Sequence, residues 1–377
     1  MNRLLLYLIL ISLPLTHALR IFGQTPTPKS EAPLVEARAI PVERTLAVSG
    51  QGYFPVALRL RDGRIAVVLR GGGPHLSIAG RLDMIFSSDE GKTWTSPTVV
   101  VDSPLDDRNP AFGQADDGAL VVGFWRTANY DEKGHYDPKL GKSQTTWITR
   151  SQDGGKTWSE PAEIDVSDIG LGSPYGRILT LPDGAMLMAI YGNALRPAGE
   201  KFASDATHSY LYRSIDRGQT WKRLSEIGDG KEQLTETSVL RLADGKILAA
   251  ARTRAGATVQ TESADDGRTW SALHPLTPIN IHPPDLCLMA DGRVLLTLGN
   301  RVGPLGVIGI VGDAHGQFDW EKRFALVTDS ASRDCGYPSS VVLPNGHALT
   351  LYYSTTVKDH PEWRVHTGAV SYQPPPP

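Results

Sequence analysis

The stretch SSDEGKTW, residues 87–94, decides the fold because the chain repeats it. Near-copies occur as SQDGGKTW at 151–158, SIDRGQTW at 214–221 and SADDGRTW at 263–270. Short Asp and Ser side chains can bond turn amides, Gly supplies a positive φ, and Trp covers the neighbouring strands. We interpret these copies as structural turns of a repeat array, because equivalent copies on separate units cannot converge on one substrate.

A second repeated element is a strand, a tight Asp-Gly or Asn-Gly turn and another strand. Its turns lie at Asp62-Gly63, Asp117-Gly118, Asp183-Gly184, Asp244-Gly245, Asp291-Gly292 and Asn345-Gly346. Each interval has the pattern of a four-stranded antiparallel unit, and such units in a row are typical of propeller blades. We therefore predict an all-β fold, a six-bladed β-propeller of four-stranded antiparallel blades, over residues 45–372.

The two ends of the chain differ from this array. Arg3 precedes an apolar run from Leu4 to Leu15, which predicts a secretory signal peptide over residues 1–24. A flexible segment, residues 25–44, follows, and a Pro-rich tail, residues 373–377, ends the sequence. The apolar run is short of the roughly 20 residues that span a bilayer, so we expect a secreted or periplasmic protein with no stable membrane span after processing.

Composition excludes several classes of partner. Lys and Arg total 38 against 41 Asp and Glu, a net charge of -3, which leaves no basic footprint for nucleic acid. Cys287 and Cys335 lack metal-ligand spacing. The sequence allows two alternatives for them, a disulfide or two buried thiols. We expect a monomer with no cofactor and no metal site.

Counting residues from each Asp-Gly or Asn-Gly turn identifies positions that we expect to form a functional rim. Residues eight positions before each turn are Phe54, Asn109, Tyr175, Glu236, Pro283 and Tyr337, and those eight after it are Arg70, Trp125, Tyr191, Arg252, Gly299 and Tyr353. We predict that these positions ring the mouth of a central channel. Paired arginines favour a carboxylate ligand. A tyrosine whose proton passes to a glutamate can attack such a ligand without repelling it.

The rim motifs resemble those of the sialidase (neuraminidase) superfamily of Asp-box propellers, over essentially the whole predicted array. ETSVLRLADGKILAAAR at 236–252, GYPSSVVLPNG at 336–346 and NRVGPLGVIGI at 300–310 carry the likeness. The resemblance implies that Tyr337 is the nucleophile, that Glu236 activates it, and that Arg252 and Arg301 bind a sugar carboxylate. It implies a retaining exo-glycosidase that releases a terminal acidic sugar, a sialic or related ulosonic acid, from a glycan partner.

Two positions depart from the family pattern. The first blade opens with GYFP at 52–55, which places Tyr53 where the family has its central arginine. The loop GGGPHLSIAG at 71–80 lacks the family's acid/base aspartate, and His75 is its one titratable side chain.

Three hypotheses follow from these departures. Arg70 reaches the space of the missing arginine and His75 is the acid; or the sugar is different and Asp107 or Asp285 is the acid; or the propeller is a non-catalytic glycan-binding or assembly scaffold. Glycosidases generally need a proton donor for the leaving oxygen. Further candidates for substrate contact are Tyr53, Asn109 and Tyr191.

Overall fold

The computed structural model describes residues 35–140, 144–194, 207–357 and 364–376. The predicted signal peptide, residues 1–24, lies outside the described residues. Within the described part, no helix combines the length and apolar character needed to cross a membrane. Regular structure there consists of strands and two short 3-10 helices, Pro138–Leu140 and Trp320–Lys322.

The strands are β1 (Arg38–Ala39), β2 (Glu43–Ser49), β3 (Tyr53–Arg59), β4 (Ile65–Gly71), β5 (Arg81–Ser87), β6 (Thr98–Val101), β7 (Asp106–Gln114), β8 (Leu120–Thr127), β9 (Gln144–Ser151), β10 (Ala162–Ile164), β11 (Ser173–Thr180), β12 (Met186–Asn193), β13 (Thr207–Ser214), β14 (Lys222–Glu226), β15 (Leu234–Arg241), β16 (Ile247–Thr253), β17 (Thr258–Ser263), β18 (His274–Pro275), β19 (Ile281–Leu288), β20 (Val294–Asn300), β21 (Gly306–Gly312), β22 (Phe324–Val327), β23 (Cys335–Val342), β24 (Ala348–Ser354) and β25 (His366–Tyr372).

These strands form five sheets in the described chain. Their strand orders are β3-β4-β5-β6, β10-β9-β8-β7-β11-β12-β13-β14, β15-β16-β17-β18, β1-β22-β21-β20-β19 and β2-β25-β24-β23. The all-β, propeller-like prediction is confirmed. The sheets number five rather than six separate blades, because β7 and β11 pair in parallel and join two antiparallel groups of four strands.

The first strands of the repeats form a closed ring. Strands β3, β7, β11, β15, β19 and β23 contact one another in that order, and β23 contacts β3. Outside this ring, β2 joins the last sheet by pairing antiparallel with β25 from the other end of the array. Residues from both ends of the chain thus build one sheet.

The described parts of the two flanks, residues 35–44 and 373–376, contain strand or buried residues. Strand β2 begins inside the segment 25–44, and Arg38–Ala39 pairs in parallel with β22. In the Pro-rich tail, Pro374 and Pro375 are buried. Proline packs well without needing a hydrogen-bonded backbone amide, so a Pro-rich composition did not exclude an ordered segment.

Apolar clusters fill the space between successive groups of four strands. Phe112 and Phe124, for example, pack on Val68 and Met84 of the preceding group. Strands β4, β20, β21 and β24 are buried along their whole length, because both faces of a sheet in such an array are covered. Cys287 and Cys335 are buried free thiols.

The repeated turns are held by their own side chains. In the first copy, Ser87 Oγ accepts a hydrogen bond from the Gly91 amide and donates one to Asp89 Oδ1, both at 2.8 Å. The Thr93 hydroxyl donates to Asp89 Oδ2 at 2.6 Å. The hydrogen bonds from the Thr93 hydroxyl and the Thr93 amide lower the pKa of Asp89 to about 2. The Asp89 carboxylate is thus hydrogen-bonded within its own turn, as the structural interpretation predicts.

We expect Ser87→Ala to lower the free energy of unfolding by about 1 kcal/mol, because the buried Gly91 amide loses its acceptor. Urea denaturation followed by tryptophan fluorescence measures this. Ser88→Ala, at the exposed neighbouring position, is the matched control and should change the stability by less than about 0.5 kcal/mol. Equal stability of the two variants would contradict the structural role of this turn.

Candidate active site

An irregularity recurs near the start of every innermost strand. The register of β3, β7, β11, β15, β19 and β23 against its neighbour shifts at this point. At four of these shifts a non-glycine residue has a positive φ: 53° for Phe54, 42° for Asn109, 39° for Glu236 and 49° for Tyr337. Such a conformation costs on the order of 1–3 kcal/mol per residue, and a bulge re-aims the side chain it carries.

All four of these side chains line one cleft at the end of the ring, with a volume of about 210 Å³. The remaining lining residues of this axial cleft are His75, Leu76, Arg108, Trp125, Tyr136 and Tyr191. The bulges therefore deliver one side chain from each of four innermost strands to a common space. A concave site with a few convergent polar groups is the usual form of a small-molecule site.

The centre of the axial cleft is a hydrogen bond between Tyr337 and Glu236. Tyr337 OH donates to Glu236 Oε1, and Arg252 Nη1 donates to Glu236 Oε2 at 3.0 Å. Glu236 and Tyr337 are only 4% and 8% exposed. Burial opposes ionisation of Glu236, but the Arg252 charge and the Tyr337 bond lower its pKa. Burial and the Glu236 charge raise the pKa of Tyr337 well above its ordinary value, so the phenol keeps its proton.

Two arginines and a histidine surround this pair. Arg301 lies against the Tyr337 ring, with its Cζ 5.4 Å from the ring centroid, and donates from Nη2 to the Cys335 carbonyl at 3.1 Å. Arg301 Nε is buried without a partner in the described structure. Burial, Arg252 and Arg301 lower the pKa of His282 to about 3. This side of the pair is therefore electropositive with His282 neutral.

His75 borders the axial cleft as half of a histidine–carboxylate pair. Its Nδ1 lies 3.0 Å from Asp334 Oδ1 and 3.1 Å from Oδ2. Tyr353 OH donates to Asp334 Oδ1 at 2.6 Å. The imidazole ring packs edge-on against Phe54, with centroids 5.0 Å apart, and Phe54 also contacts the Tyr337 ring at 4.8 Å.

Asn109, Trp125 and Tyr191 form another part of the cleft wall, where the Asn109 amide takes part in hydrogen bonds. Asn109 Nδ2 donates to Ser173 Oγ and to Tyr191 OH, each at 3.1 Å. Asn109 Oδ1 has no partner within the described ranges, and neither has the buried indole N–H of Trp125. Both predicted contacts, Asn109 and Tyr191, thus lie in the cleft, next to a buried acceptor and a buried donor that have no partner there.

Arg70 is not in the axial cleft. Its side chain is fully buried and donates from Nε and Nη2 to Asp106 Oδ1 at 3.1 and 2.6 Å. It also donates to the carbonyls of Pro74 and Ser77, at 2.6 and 3.1 Å. Arg70 therefore holds the loop 71–80 in place, and the hypothesis that it replaces the missing arginine loses its geometric basis.

The carboxylates considered as alternative acids are also engaged elsewhere. Asp285 bonds to Arg177 Nη2 at 2.7 Å and to the Ser340 amide at 2.8 Å, beneath the cleft. Asp107 bonds to Arg126 at 2.7 Å. Burial raises the pKa of each, and its arginine opposes that effect. Tyr53 is buried against His75 and Tyr353 rather than exposed to a ligand.

Sequence reasoning missed three residues of the site. Arg108 and His282 each lie one position before a counted rim residue, and Asp334 lies three before Tyr337. Arg108 donates to the His75 carbonyl and to Asp106, both at 2.8 Å. Extending the counted register to neighbouring positions would have found Arg108 and His282.

Solved structures share this architecture. A protein of unknown function from Dyadobacter fermentans is 23% identical, with 88% of this chain and 99% of that chain covered and a TM-score of 0.74. A mutant of the NanB sialidase from Streptococcus pneumoniae is 16% identical, with 91% and 72% covered and a TM-score of 0.65. The intramolecular trans-sialidase from Ruminococcus gnavus, in complex with oseltamivir carboxylate, is 13% identical, with 88% and 98% covered and a TM-score of 0.63. At these identities the likeness shows the fold.

The closed array and its axial cleft define a propeller-like protein with a polar site at the mouth of the ring. Residues 70–351 match the family described as BNR repeat-like domain, which is well over half of the chain. The protein belongs to this family, and its fold is shared with the sialidase and trans-sialidase structures above.

The lowered pKa of His282 can be measured by NMR. We expect its imidazole, identified by its loss in His282→Gln, to stay neutral at about pH 5, where free histidine is charged. Arg301→Gln should raise this pKa by removing a positive neighbour, whereas Arg323→Gln, remote from the cleft, should not. Since the unfolded chain takes up this proton at higher pH, stability should fall as the pH drops from about 6.5. A charged His282 at pH 5 would contradict the described electropositive cluster.

Proposed function

We propose that this protein is a retaining exo-glycosidase that releases a terminal acidic sugar from a glycan. The observation that carries the proposal is the buried hydrogen bond from Tyr337 OH to Glu236, with Arg252 on the second carboxylate oxygen. A neutral phenol next to an ionised carboxylate is an activated nucleophile of the general kind in which a base takes the proton as attack begins.

The reaction uses both members of the pair. Tyr337 Oη attacks the anomeric carbon, and its proton passes to Glu236, so that charge does not build up on the phenol before the bond forms. The product is a glycosyl–tyrosine intermediate, which water then hydrolyses. Two displacements at one carbon retain its configuration. A buried neutral nucleophile also avoids repelling an anionic substrate.

The acidic character of the substrate follows from the charge around the pair. Arg252 contacts Glu236 and Arg301 lies on the Tyr337 ring. Arginine binds planar carboxylates through paired, charge-assisted hydrogen bonds. A sugar carboxylate bound beside Tyr337 would pair with the positive charge of these two guanidinium groups. Two of the structural neighbours are sialidases, which supports a sialic or related ulosonic acid.

The architecture is a six-bladed propeller in this proposal. The eight-stranded sheet then counts as two blades joined by the short β7–β11 pairing. The closed contact order of the six innermost strands supports this count. The protein is exported through the predicted signal at residues 1–24 and acts as a monomer, which cell fractionation and light scattering of the mature protein would test.

The catalytic proposal predicts that Tyr337→Phe lowers kcat by at least about 10³-fold while the sugar is still bound, because only the nucleophilic oxygen is lost. A panel of aryl glycosides of N-acetylneuraminic acid, other ulosonic acids, uronic acids and neutral sugars measures turnover. Tyr212→Phe is the matched control, since Tyr212 is a buried tyrosine of another strand group whose hydroxyl has no partner in the described chain.

Wild-type turnover in Tyr337→Phe would discard this assignment. Glu236→Gln keeps the shape of the pair but removes the base, and it should be impaired to a similar extent. If no glycoside is cleaved by the folded wild type but an acidic glycan still binds, the cleft belongs to a glycan-binding propeller instead.

A further inference from the structure

The proposed reaction needs a proton for the departing alcohol, and the obvious donors are absent from the cleft. Glu236 is the sole carboxylate among the described residues that line it, and Glu236 is already bonded to Tyr337 and Arg252. Asp106, Asp107 and Asp285 are each held by arginine. A displacement that expels a poor leaving group therefore lacks an acid unless another group supplies it.

His75 is the titratable group that the geometry leaves available. It lines the cleft with Tyr337, and its Nδ1 faces both oxygens of Asp334. Its Nε2 has no hydrogen-bond partner in the described ranges. The side chain is 38% exposed, so a proton on Nε2 can reach a ligand and exchange with water.

Asp334 is itself fixed in place. It accepts from Tyr353 OH at 2.6 Å, and its amide donates to Ser332 Oγ at 3.0 Å. The His75 ring is clamped between Tyr53 and Phe54, with centroids 5.4 and 5.0 Å away. A carboxylate on Nδ1–H sets the tautomer and orientation of an imidazole and stabilises its protonated form.

We propose that His75 is the general acid and base of this site and that Asp334, held by Tyr353, is its positioning residue. The proposal rests on the glycosidase function proposed above. It assigns to a histidine from the loop 71–80 the role that a carboxylate would fill.

The proton balance of both steps closes. In the first step, Tyr337 Oη bonds to the anomeric carbon, its proton moves to Glu236, and the bond from that carbon to the leaving oxygen breaks. The Nε2 proton of the His75 imidazolium moves to that oxygen and the alcohol departs. In the second step, neutral His75 takes a proton from water, the water oxygen bonds to the anomeric carbon, and the bond from that carbon to Tyr337 Oη breaks. Glu236 returns its proton to Tyr337 Oη.

Leaving-group dependence tests this assignment. The phenolate of an activated aryl glycoside leaves without being protonated. The sugar alcohol that leaves a disaccharide needs an acid to protonate its oxygen. We expect His75→Gln to lower the first-step rate on a disaccharide by about 10²–10⁴-fold, with a much smaller effect on an activated aryl glycoside of the same sugar. Asp334→Asn should give the same selective pattern with a smaller loss.

His135 provides the matched control. It also pairs through Nδ1 with an aspartate, Asp131 at 3.2 Å, but on an exposed loop. His135→Gln should leave the first-step rate on both substrates unchanged. Equal loss of the first-step rate on the two substrates in His75→Gln, or no loss on either, would overturn the assignment of His75 and leave that of Tyr337 unaffected. Activity that survives Tyr337→Phe would instead remove the proposed function.

A spectroscopic measurement addresses the pair without turnover. With ¹⁵N-labelled histidine, the neutral His75 ring should carry its proton on Nδ1, and Asp334→Asn should shift that population toward the Nε2–H form. Tyr353→Phe should have a smaller effect in the same direction. An Nε2–H tautomer in the wild type, unchanged by Asp334→Asn, would overturn the positioning role of Asp334.

Discussion

The charge of Glu236 is the constraint around which the mouth of this propeller is arranged. An ionised carboxylate that is almost fully buried is very costly unless it is paired and hydrogen-bonded. Arg252 provides one partner from the neighbouring strand β16. Tyr337 provides the other from β23, 101 residues further along the chain. The second partner reaches Glu236 because the ring of innermost strands closes, so the site depends on the integrity of the whole array.

Backbone conformation connects the array to its chemistry. Regular strands would place alternate side chains on the two faces of each sheet, not toward the axis. The shift at the start of each innermost strand breaks that alternation, and at Phe54, Asn109, Glu236 and Tyr337 it does so through a positive φ. The turns formed by the SSDEGKTW copies and the apolar clusters between strand groups provide the stability that holds these strained residues. Of the eight non-glycine residues with a positive φ in the described chain, these four line the cleft, and the surrounding structure must support their conformation.

Much of this organisation could be predicted from the sequence because it repeats. The turn register identified Glu236, Tyr337 and Arg252 as neighbours of the rim, and local turn chemistry explained the SSDEGKTW copies. Arg70 shares that register, but Asp106 binds it within the interior, and sequence spacing does not reveal which arginine meets a buried carboxylate. Asp334 was missed for the same reason, since its importance arises from its contact with the distant His75. The joining of two strand groups through β7 and β11 likewise depends on a parallel pairing that no turn signal marks.

The missing family arginine and aspartate now have a structural context. Tyr53, Phe54 and His75 fill this part of the mouth with packed rings, while Arg301 and Arg252 lie beside Tyr337 and Glu236. In the proposed reaction, Tyr337 and Glu236 form the nucleophilic pair, and His75 protonates the leaving oxygen.

The central claim is that Tyr337 forms a covalent bond to the sugar. A glycosyl fluoride of the acidic sugar, with a second fluorine beside the anomeric centre to slow breakdown of the intermediate, would be incubated with the protein, digested and analysed by mass spectrometry. The account predicts that the sugar mass is found on Tyr337, and that Glu236→Gln slows this labelling. Labelling of another residue, or hydrolysis of the fluoride with no sugar on Tyr337, would contradict it.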